Sequence, residues 1–172
     1  MEDKVNVLIS EEEVSARIKE MAAVLNRKYR GRTIHLIGIL KGSIMFMSEL
    51  SKYLTVPVTM DFLAISSYGN GTSSTGNINL RMDLSVDIEG RDVVIVEDIL
   101  DSGRTLSYVV ELLKERKPET LKVITLLDKP DRRVVNVDLE MTGFEIPDRF
   151  VVGYGLDYAE KYRNLPYIGA LD

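Results

Sequence analysis

Long, nearly unbroken apolar runs are the feature that most constrains the fold of this chain. Residues 33–40 (TIHLIGIL) and 92–96 (DVVIV) are almost entirely apolar, and each leads through a short polar turn into apolar residues at helical spacing. A run of this kind suits a strand that is buried on both faces, as in a parallel sheet. Strands that alternate with helices predict an α/β fold with a mostly parallel, twisted sheet flanked by helices.

The remaining patterns complete this outline. Ser10 and Glu13 have the spacing of a capping box, and apolar residues then recur at helical spacing to about Tyr29. Residues 66–77 (SSYGNGTSSTGN) are almost all Ser, Thr, Gly and Asn, which predicts a mobile loop between strands. Further helices are predicted around 44–52 and 106–113, and further strands over 56–65, 78–82, 121–127, 134–139 and 150–153.

The length, hydropathy and net charge of the chain indicate how many domains it has and which partners are disfavoured. A chain of 172 residues without repeats or a linker-like segment is expected to form a single domain over 1–172. No apolar run reaches the roughly 18 residues of a membrane span, and the first residues are too polar for a signal peptide. We therefore expect a cytoplasmic protein without a membrane partner. The formal net charge of −5 disfavours a nucleic-acid partner, which needs a basic face.

The chain has no cysteine and a single histidine, His35. These counts exclude disulfides, thiolate metal sites and cysteine nucleophiles, and they leave almost no material for a Ser-His-Asp triad or a multi-histidine metal site. His35 lies inside an apolar strand pattern, so we expect it to be structural.

Ligands of parallel α/β sheets bind beyond the carboxyl ends of the strands. This rule directs attention to residues 41–43, 97–105, 128–133 and 154–158. The most informative of them belong to the segment VVIVEDILDSGRTL at 93–106, in which two adjacent acids and a small polar turn separate a strand from a helix. The turn is suited to phosphate, because Gly103 allows close approach and the helix N-terminus favours an anion.

The two acids, Glu97 and Asp98, would repel a phosphate and are therefore expected to face another part of the ligand. Vicinal sugar hydroxyls can donate hydrogen bonds to them, and Mg²⁺ is the other option, directly or through water. A sugar phosphate that carries a second anionic group with magnesium satisfies both features. The segment is neither a Walker A loop nor a GxGxxG motif.

This segment resembles the phosphoribosyl-pyrophosphate binding motif of the type I phosphoribosyltransferases. Other segments extend the resemblance over nearly the whole chain: LKGS (40–43), SSYG (66–69), LLDKP (127–130) and FVVGYGLDYAEKYRNLPYIG (150–169). Together they are similar to the hypoxanthine-guanine phosphoribosyltransferases. The resemblance implies the type I fold, with a small hood formed by the chain ends (about 150–172 at the carboxyl end). It also implies Mg²⁺-dependent transfer of a phosphoribosyl group to N9 of hypoxanthine or guanine, giving IMP or GMP plus pyrophosphate.

The resemblance also assigns roles to residues. The ribose and its 5-phosphate would be bound by Glu97, Asp98, Asp101, Ser102, Gly103, Arg104 and Thr105, with Asp101 as the general acid/base near N7 of the purine. Pyrophosphate would be bound by Lys41, Gly42 and Arg163, with a cis peptide between Leu40 and Lys41. The purine would be bound by Lys129, Phe150, Val151 and Asp157. Magnesium would be held by Glu97, Asp98 and Asp157, and Ser67 and Tyr68 would begin the loop that closes over the reaction centre.

Several alternatives remain open at this stage. Asp101 could be an ordinary helix N-cap, Phe150 a core ring, Lys129 a solvated lysine and Asp157 a loop acid in a salt bridge. Xanthine-guanine phosphoribosyltransferases share the aspartate and are the second interpretation. A non-catalytic regulator that senses the sugar substrate and binds nucleic acid is a weaker one. Small-molecule substrates and a homodimer or homotetramer are the expected partners.

Overall fold

The computed structural model describes residues 3–68 and 77–172. Strands and helices alternate through the first two thirds of the chain, as predicted. The helices are α1 (Glu11–Lys28), α2 (Ile44–Lys52) and α3 (Arg104–Lys114). The strands are β1 (Val5–Ile9), β2 (Ile34–Leu40), β3 (Val58–Tyr68), β4 (Asn77–Met82), β5 (Asp92–Leu100), β6 (Thr120–Asp128), β7 (Met141–Glu145), β8 (Val151–Val152) and β9 (Ile168–Leu171).

The larger sheet has six strands in the order β4-β3-β2-β5-β6-β7. Strands β3, β2, β5, β6 and β7 run parallel, and β4 pairs antiparallel with β3 at one side. The predicted, mostly parallel sheet is confirmed. Strands β2, β5 and β6 all end at one edge, called here the carboxyl edge, and begin at the opposite, amino edge. Residues 41–43, 97–105 and 128–133 therefore meet at the carboxyl edge.

Helices cover both faces of this sheet. Leu36 and Val94 pack with α1 and α2 in one buried cluster, whereas Ile37 and Ile95 pack with α3 in a second cluster. Consecutive residues of a strand face opposite sides, so each central strand must be apolar on both faces. This explains why β2 and β5 have continuous apolar sequences.

Helix α1 forms as its sequence predicts. The backbone N–H of Glu13 donates to Oγ of Ser10 at 3.2 Å, and the backbone N–H of Ser10 donates to the Glu13 carboxylate at 2.8 Å. This capping box satisfies two N–H groups that the first turn would otherwise leave free. No helix in the described ranges combines the length and the apolarity needed to cross a bilayer.

The two ends of the chain form a second, antiparallel sheet in the order β1-β9-β8. Its buried residues Ile9, Val151 and Ile168 belong to the same cluster as α1 and α2. A hood built from the chain ends was predicted, although β1 and β9 were not recognised as strands. Both are short, which makes their apolar patterns hard to distinguish from loop sequence.

The strand predicted over 134–139 is wrong. Residues 134 and 135 instead donate their backbone N–H groups to the carbonyl of Ser102, at 2.9 and 3.0 Å. The alternating sequence VVNVDL has the period of a strand, but it forms a loop from which Val137 and Leu139 pack against the second buried cluster. The last strand of the larger sheet is β7, which pairs with β6 a few residues later.

Two strands are longer than predicted. Strand β5 continues through Glu97 and Asp98 to Leu100, so the two acids lie within the strand rather than after it. The backbone of Ser67 and Tyr68 pairs with β4 at the end of β3, so these residues extend the strand instead of opening a loop. The rest of the predicted mobile loop, 69–76, lies outside the described residues, and its closure over the site stays a prediction.

Candidate active site

Glu97 and Asp98 place two carboxyl groups side by side near the carboxyl edge. Asp98 is 9% exposed. Its backbone N–H donates to the Glu97 carboxylate at 3.0 Å, and its own carboxylate accepts the N–H of Ile99 at 2.7 Å. Burial, followed by the charge of Asp98, raises the pKa of Glu97 well above its ordinary value. Burial also raises the pKa of Asp98. The pair is therefore short of positive charge or of hydrogen-bond donors.

The polar turn that follows β5 lies against this pair. Residues from Glu97 to Gly103, together with Thr105 and Leu106, line one cavity of about 210 Å³. Gly103 has φ of +89° and is the N-cap of α3, and a Cβ at this position would overlap the carbonyl of Val135. Only glycine fits both conditions. The cavity thus joins a helix N-terminus to the acid pair, which suits a phosphate linked to a hydroxylated group.

Arg104 does not line this cavity, and its side chain is exposed. Ser102 is half-buried, and its Oγ lies 3.4 Å from the backbone N of Arg104. The predicted 5-phosphate residues are therefore brought together except for the Arg104 side chain.

Asp101 is not a helix N-cap, since that position belongs to Gly103. Its Oδ1 is buried and has no hydrogen-bond partner among the described residues, although Nε of Arg132 lies 3.4 Å away. Arg133 also contacts this turn. Its Nε donates to the carbonyl of Asp101 at 3.2 Å, and its guanidinium also hydrogen-bonds the Asp128 carboxylate. Asp101 is thus a fixed carboxylate with an uncommitted oxygen.

The loop after β2 reaches the same acid pair. The Leu40–Lys41 peptide is cis, as predicted. A Cβ on Gly42 would overlap Oδ2 of Asp98, and a Cβ on Gly155 would overlap the carbonyl of Gly42. Glycine allows both close contacts, that of the Gly42 backbone with the Asp98 carboxylate and that of the Gly155 backbone with the Gly42 carbonyl. These contacts place the 41–42 loop between the acids and the 153–163 loop.

Lys41 and Arg163, the two charged residues predicted to bind pyrophosphate, already form ion pairs with acids of the 153–163 loop. Lys41 is paired with Glu160 at 2.8 Å. Arg163 donates to the carbonyl of Gly155 at 2.7 Å and lies 3.3 Å from the Asp157 carboxylate. Its Nε is buried without a hydrogen-bond partner in the described chain. The ion pair of Asp157 agrees with the structural alternative for that residue, and it also places Asp157 beside the predicted anion site.

The residues predicted for a purine lie at the ends of β6 and β8. Lys129 is only 8% exposed, and its ammonium makes no hydrogen bond or ion pair with the described residues. Phe150 is 53% exposed, and its ring meets that of Tyr158 edge-on at 5.6 Å. The exposed ring of Phe150 contradicts the alternative of a core phenylalanine. Val151, next to Phe150, is buried in β8.

The acid pair was also predicted to bind magnesium. Among the described residues, no three acidic or histidine side chains are arranged to hold a metal ion alone. Mg²⁺ commonly binds through one or two carboxylates and completes its shell with water and substrate phosphates. Two buried carboxyl groups with raised pKa values, and Asp157 beside Arg163, fit a metal that arrives with an anionic substrate.

Some site residues carried no clear signal in the sequence. Glu160 pairs with Lys41, Tyr158 contacts Phe150, and Arg132 bridges Asp101 and Asp148, the latter at 3.6 Å. The adjacent arginines at 132 and 133 could be noticed in the sequence, but solvated charge was an equal explanation. Their roles depend on the turn after β6, which brings them back to β5.

Comparison with known proteins agrees with this geometry. The model of the phosphoribosyl transferase domain family matches residues 8–159. The hypoxanthine-guanine phosphoribosyltransferase of Bacillus subtilis (strain 168) is 53% identical over 165 residues, which cover 96% of this chain and 92% of that protein. The hypoxanthine phosphoribosyltransferase of Escherichia coli (strain K12) is 52% identical over 171 residues, covering 98% and 96%.

Solved structures give the same result. A crystal structure of a hypoxanthine-guanine phosphoribosyltransferase from Bacillus anthracis superposes with a TM-score of 0.94 at 47% identity. The match covers 99% of this chain and 100% of the other. The similarity therefore extends over the larger sheet, the hood and the segments of the candidate site.

Proposed function

The chain belongs to the phosphoribosyltransferase family, and from its site we propose the reaction and the residue roles that follow. It is a purine salvage enzyme that transfers the 5-phosphoribosyl group of phosphoribosyl pyrophosphate to N9 of hypoxanthine or guanine. The products are IMP or GMP and pyrophosphate. The observation that carries this proposal is the single cavity in which the buried acid pair meets the turn at the N-terminus of α3.

The sugar phosphate occupies that cavity. Ser102, Gly103 and Thr105 bind its 5-phosphate through backbone N–H groups and hydroxyls, and the helix dipole favours the charge. Glu97 and Asp98 accept hydrogen bonds from the ribose 2- and 3-hydroxyls. These bonds supply the donors that the acid pair lacks, so sugar binding offsets the burial that raises both pKa values.

Asp101 handles the proton of the purine. Its uncommitted Oδ1 accepts a hydrogen bond from N7 and shares or removes the proton as N9 attacks C1 of the ribose. Arg132 and Arg133 hold the carboxylate and its backbone in place. Because the leaving group departs early, the ribose becomes oxocarbenium-like and no covalent enzyme nucleophile is required.

Lys129 selects the base. Its side chain is largely buried, and its ammonium, which has no partner among the described residues, is ready to donate to the 6-oxo group of hypoxanthine or guanine. Adenine has an amino group there and would leave two donors facing each other. Phe150 stacks on the purine through its exposed ring, and the backbone of Val151 contacts the ring edge.

Pyrophosphate leaves toward the 41–42 loop and Arg163. The backbone of Lys41 and Gly42 and the guanidinium of Arg163 bind it. Asp157, Glu97 and Asp98 would hold Mg²⁺, directly or through water, and the ion would supply positive charge to the leaving group. Lys41 exchanges its exposed ion pair with Glu160 for the substrate at little cost, since such pairs contribute at most about 1 kcal/mol.

The working form is a homodimer or homotetramer. Large apolar side chains are exposed on α2, β3 and β4, namely Met45, Met60 and Met82. Multi-angle light scattering behind size exclusion tests this directly, and a monomeric mass at micromolar concentration contradicts it.

The reaction is tested by product formation from phosphoribosyl pyrophosphate and Mg²⁺ with hypoxanthine, guanine, xanthine, adenine and uracil in parallel. We expect turnover with hypoxanthine and guanine and none with adenine or uracil. A dominant reaction with xanthine would contradict the assignment of the base. Sugar binding without any turnover would contradict the assignment of an enzyme.

A further inference from the structure

A second cavity lies at the amino edge, at the opposite end of the strands from the active site. It measures about 380 Å³, and its walls include Arg32, His35, Thr59, Arg91 and Asp92. These residues come from the beginnings of β2, β3 and β5 or from just before them. None of them belongs to the proposed reaction.

His35 is the unusual feature of this cavity. It is 2% exposed, and its Nδ1 lies 2.6 Å from the hydroxyl oxygen of Thr59. Its Nε2 is buried and has no hydrogen-bond partner in the described chain. A buried imidazole nitrogen without a partner destabilises the folded protein. An ordinary core histidine would have both ring nitrogens satisfied, so this one lacks a partner that a ligand can supply.

The charges around the cavity favour an anion. Arg32 and Asp92 neutralise each other through two hydrogen bonds of 3.0 and 2.6 Å. Arg91 is exposed, and its guanidinium makes no hydrogen bond or ion pair with the described residues. The carboxylate of Asp61, on the same face of the sheet, already accepts the N–H groups of Ser85 and Val86. The wall therefore presents one guanidinium, that of Arg91, without a paired carboxylate among the described residues.

The charge state of His35 is consistent with this arrangement. Burial is the main cause that lowers the pKa of His35, the charge of Arg91 lowers it further, and Asp61 opposes them. The imidazole is thus neutral at neutral pH. Arg91 and His35 line the same cavity.

We propose that this cavity binds a phosphoryl group, as free phosphate or as a phosphate monoester, between the Arg91 guanidinium and Nε2–H of His35. In this arrangement the Thr59 hydroxyl donates to Nδ1, which leaves the hydrogen on Nε2 as a donor to the anion. Arg91 supplies paired donors that match phosphate oxygens. A cation is disfavoured because it would face the Arg91 guanidinium and the Nε2–H donor. A purely apolar ligand would leave Nε2 unsatisfied.

The single histidine makes the test direct, because one imidazole signal in the NMR spectrum reports on this cavity alone. The protein is titrated with inorganic phosphate, methyl phosphate and acetate at constant ionic strength and constant pH. We expect a saturable shift of the His35 ring resonances with one or both phosphates, and a long-range ¹H–¹⁵N spectrum with hydrogen on Nε2. The two phosphate arms distinguish the free ion from the monoester.

Three variants separate this cavity from the active site. Arg91→Ala should weaken the phosphate-induced shift about tenfold or more, since it removes a charged hydrogen-bond partner. Arg30→Ala removes an exposed arginine near the same edge and should leave the shift unchanged. Thr105→Ala alters the 5-phosphate turn and should also leave it unchanged.

Two results would overturn the proposal. The first is a His35 signal that stays constant to saturating phosphate in the unmodified protein, a measurement that requires no variant. The second is a shift that is equal in Arg91→Ala and Arg30→Ala, or that is lost in Thr105→Ala. Neither result bears on base transfer, so the two proposals fail independently.

Discussion

The two ends of β5 carry acids in opposite electrostatic conditions. Asp92 begins the strand and accepts hydrogen bonds from Arg32 and from the Thr120 hydroxyl, and these partners, led by Arg32, lower its pKa. Glu97, five residues later on the same strand, has a pKa raised by burial and by Asp98. Residue type and secondary structure are alike, so the difference comes from whether the fold supplies a partner.

This difference in partners separates groups that stabilise the free protein from groups whose partner a ligand must supply. At the carboxyl edge an acid pair lacks donors, Oδ1 of Asp101 lacks a hydrogen bond, and Lys129 is buried without a partner. At the amino edge Asp92 is fully engaged, and His35 is the exception that points to a further ligand. Buried groups without partners destabilise the free protein, and a bound substrate satisfies them.

The largest expected effect is that of Asp101→Asn. The amide keeps the size of the side chain but cannot take a proton, so kcat for IMP formation should fall about 10²- to 10⁴-fold. Stability should change little, because Oδ1 has no hydrogen bond to lose. Steady-state kinetics and thermal unfolding measure the two quantities. The exposed Asp131→Asn, in the same region, is the matched control and should retain activity; a normal kcat in Asp101→Asn would contradict the role.

Lys129→Met should separate activity from stability. Loss of the donor to the 6-oxo group should lower kcat/KM for hypoxanthine about 10- to 100-fold. Because the ammonium has no hydrogen bond or ion pair to lose with the described residues, the free energy of unfolding should change by less than about 1 kcal/mol. Lys114→Met, at an exposed pair on α3, should change neither quantity by a comparable amount. A destabilised Lys129→Met would show that the ammonium is satisfied within the free protein.

Neutralising Asp92 and neutralising Glu97 should change the free energy of unfolding in opposite directions. Asp92→Asn should destabilise the protein by about 1–3 kcal/mol near pH 7, since it removes charged hydrogen bonds. Glu97→Gln should stabilise the ligand-free protein by about 1–2 kcal/mol near pH 8, since it removes a buried, repelled charge. Urea unfolding of both variants and of the unmodified chain measures these differences.

The pH dependence of the free energy of unfolding provides a stricter test of Asp92→Asn and Glu97→Gln. The lowered pKa of Asp92 means that its stabilisation is present above the ordinary aspartate pKa and is lost as pH falls through the folded-state value. The raised pKa of Glu97 means the reverse: its contribution is complete at low pH and is lost as pH rises through the raised value. The advantage of Glu97→Gln should therefore shrink toward about pH 4. An advantage independent of pH would show that charge is not its cause.

The sequence predicted the larger sheet well because its strands are buried on both faces. Residues 33–40 and 92–96 can be nothing but core strands beside helices, and they became β2 and β5. Prediction failed where local pattern and tertiary contact disagree. Residues 134–139 alternate like a strand, yet the carbonyl of Ser102 binds their backbone, and no local signal marks that contact.

The site was predictable where one short segment contains all its parts, as from Glu97 to Thr105. It was less so where two loops meet. Glu160 faces Lys41 across 119 positions of sequence, and Arg132 reaches Asp101 only through the turn after β6. Surface charges of this kind are common. An ion pair between residues that only the fold brings together therefore leaves no recognisable pattern in the sequence.

The smallest expected effect is that of Arg132→Gln. Arg132 is 55% exposed and lies between Asp101 and Asp148, so its loss should change the free energy of unfolding by less than about 0.5 kcal/mol. Because it forms an ion pair with the Asp101 carboxylate, kcat should still fall about three- to tenfold through poorer positioning of the carboxylate, with little change in KM. Arg149→Gln removes an equally exposed pair, with Asp172, and should alter neither parameter. A loss as large as that of Asp101→Asn would instead place Arg132 on the substrate itself, and the carboxyl edge would then provide one more cation for the ligand than the free protein reveals.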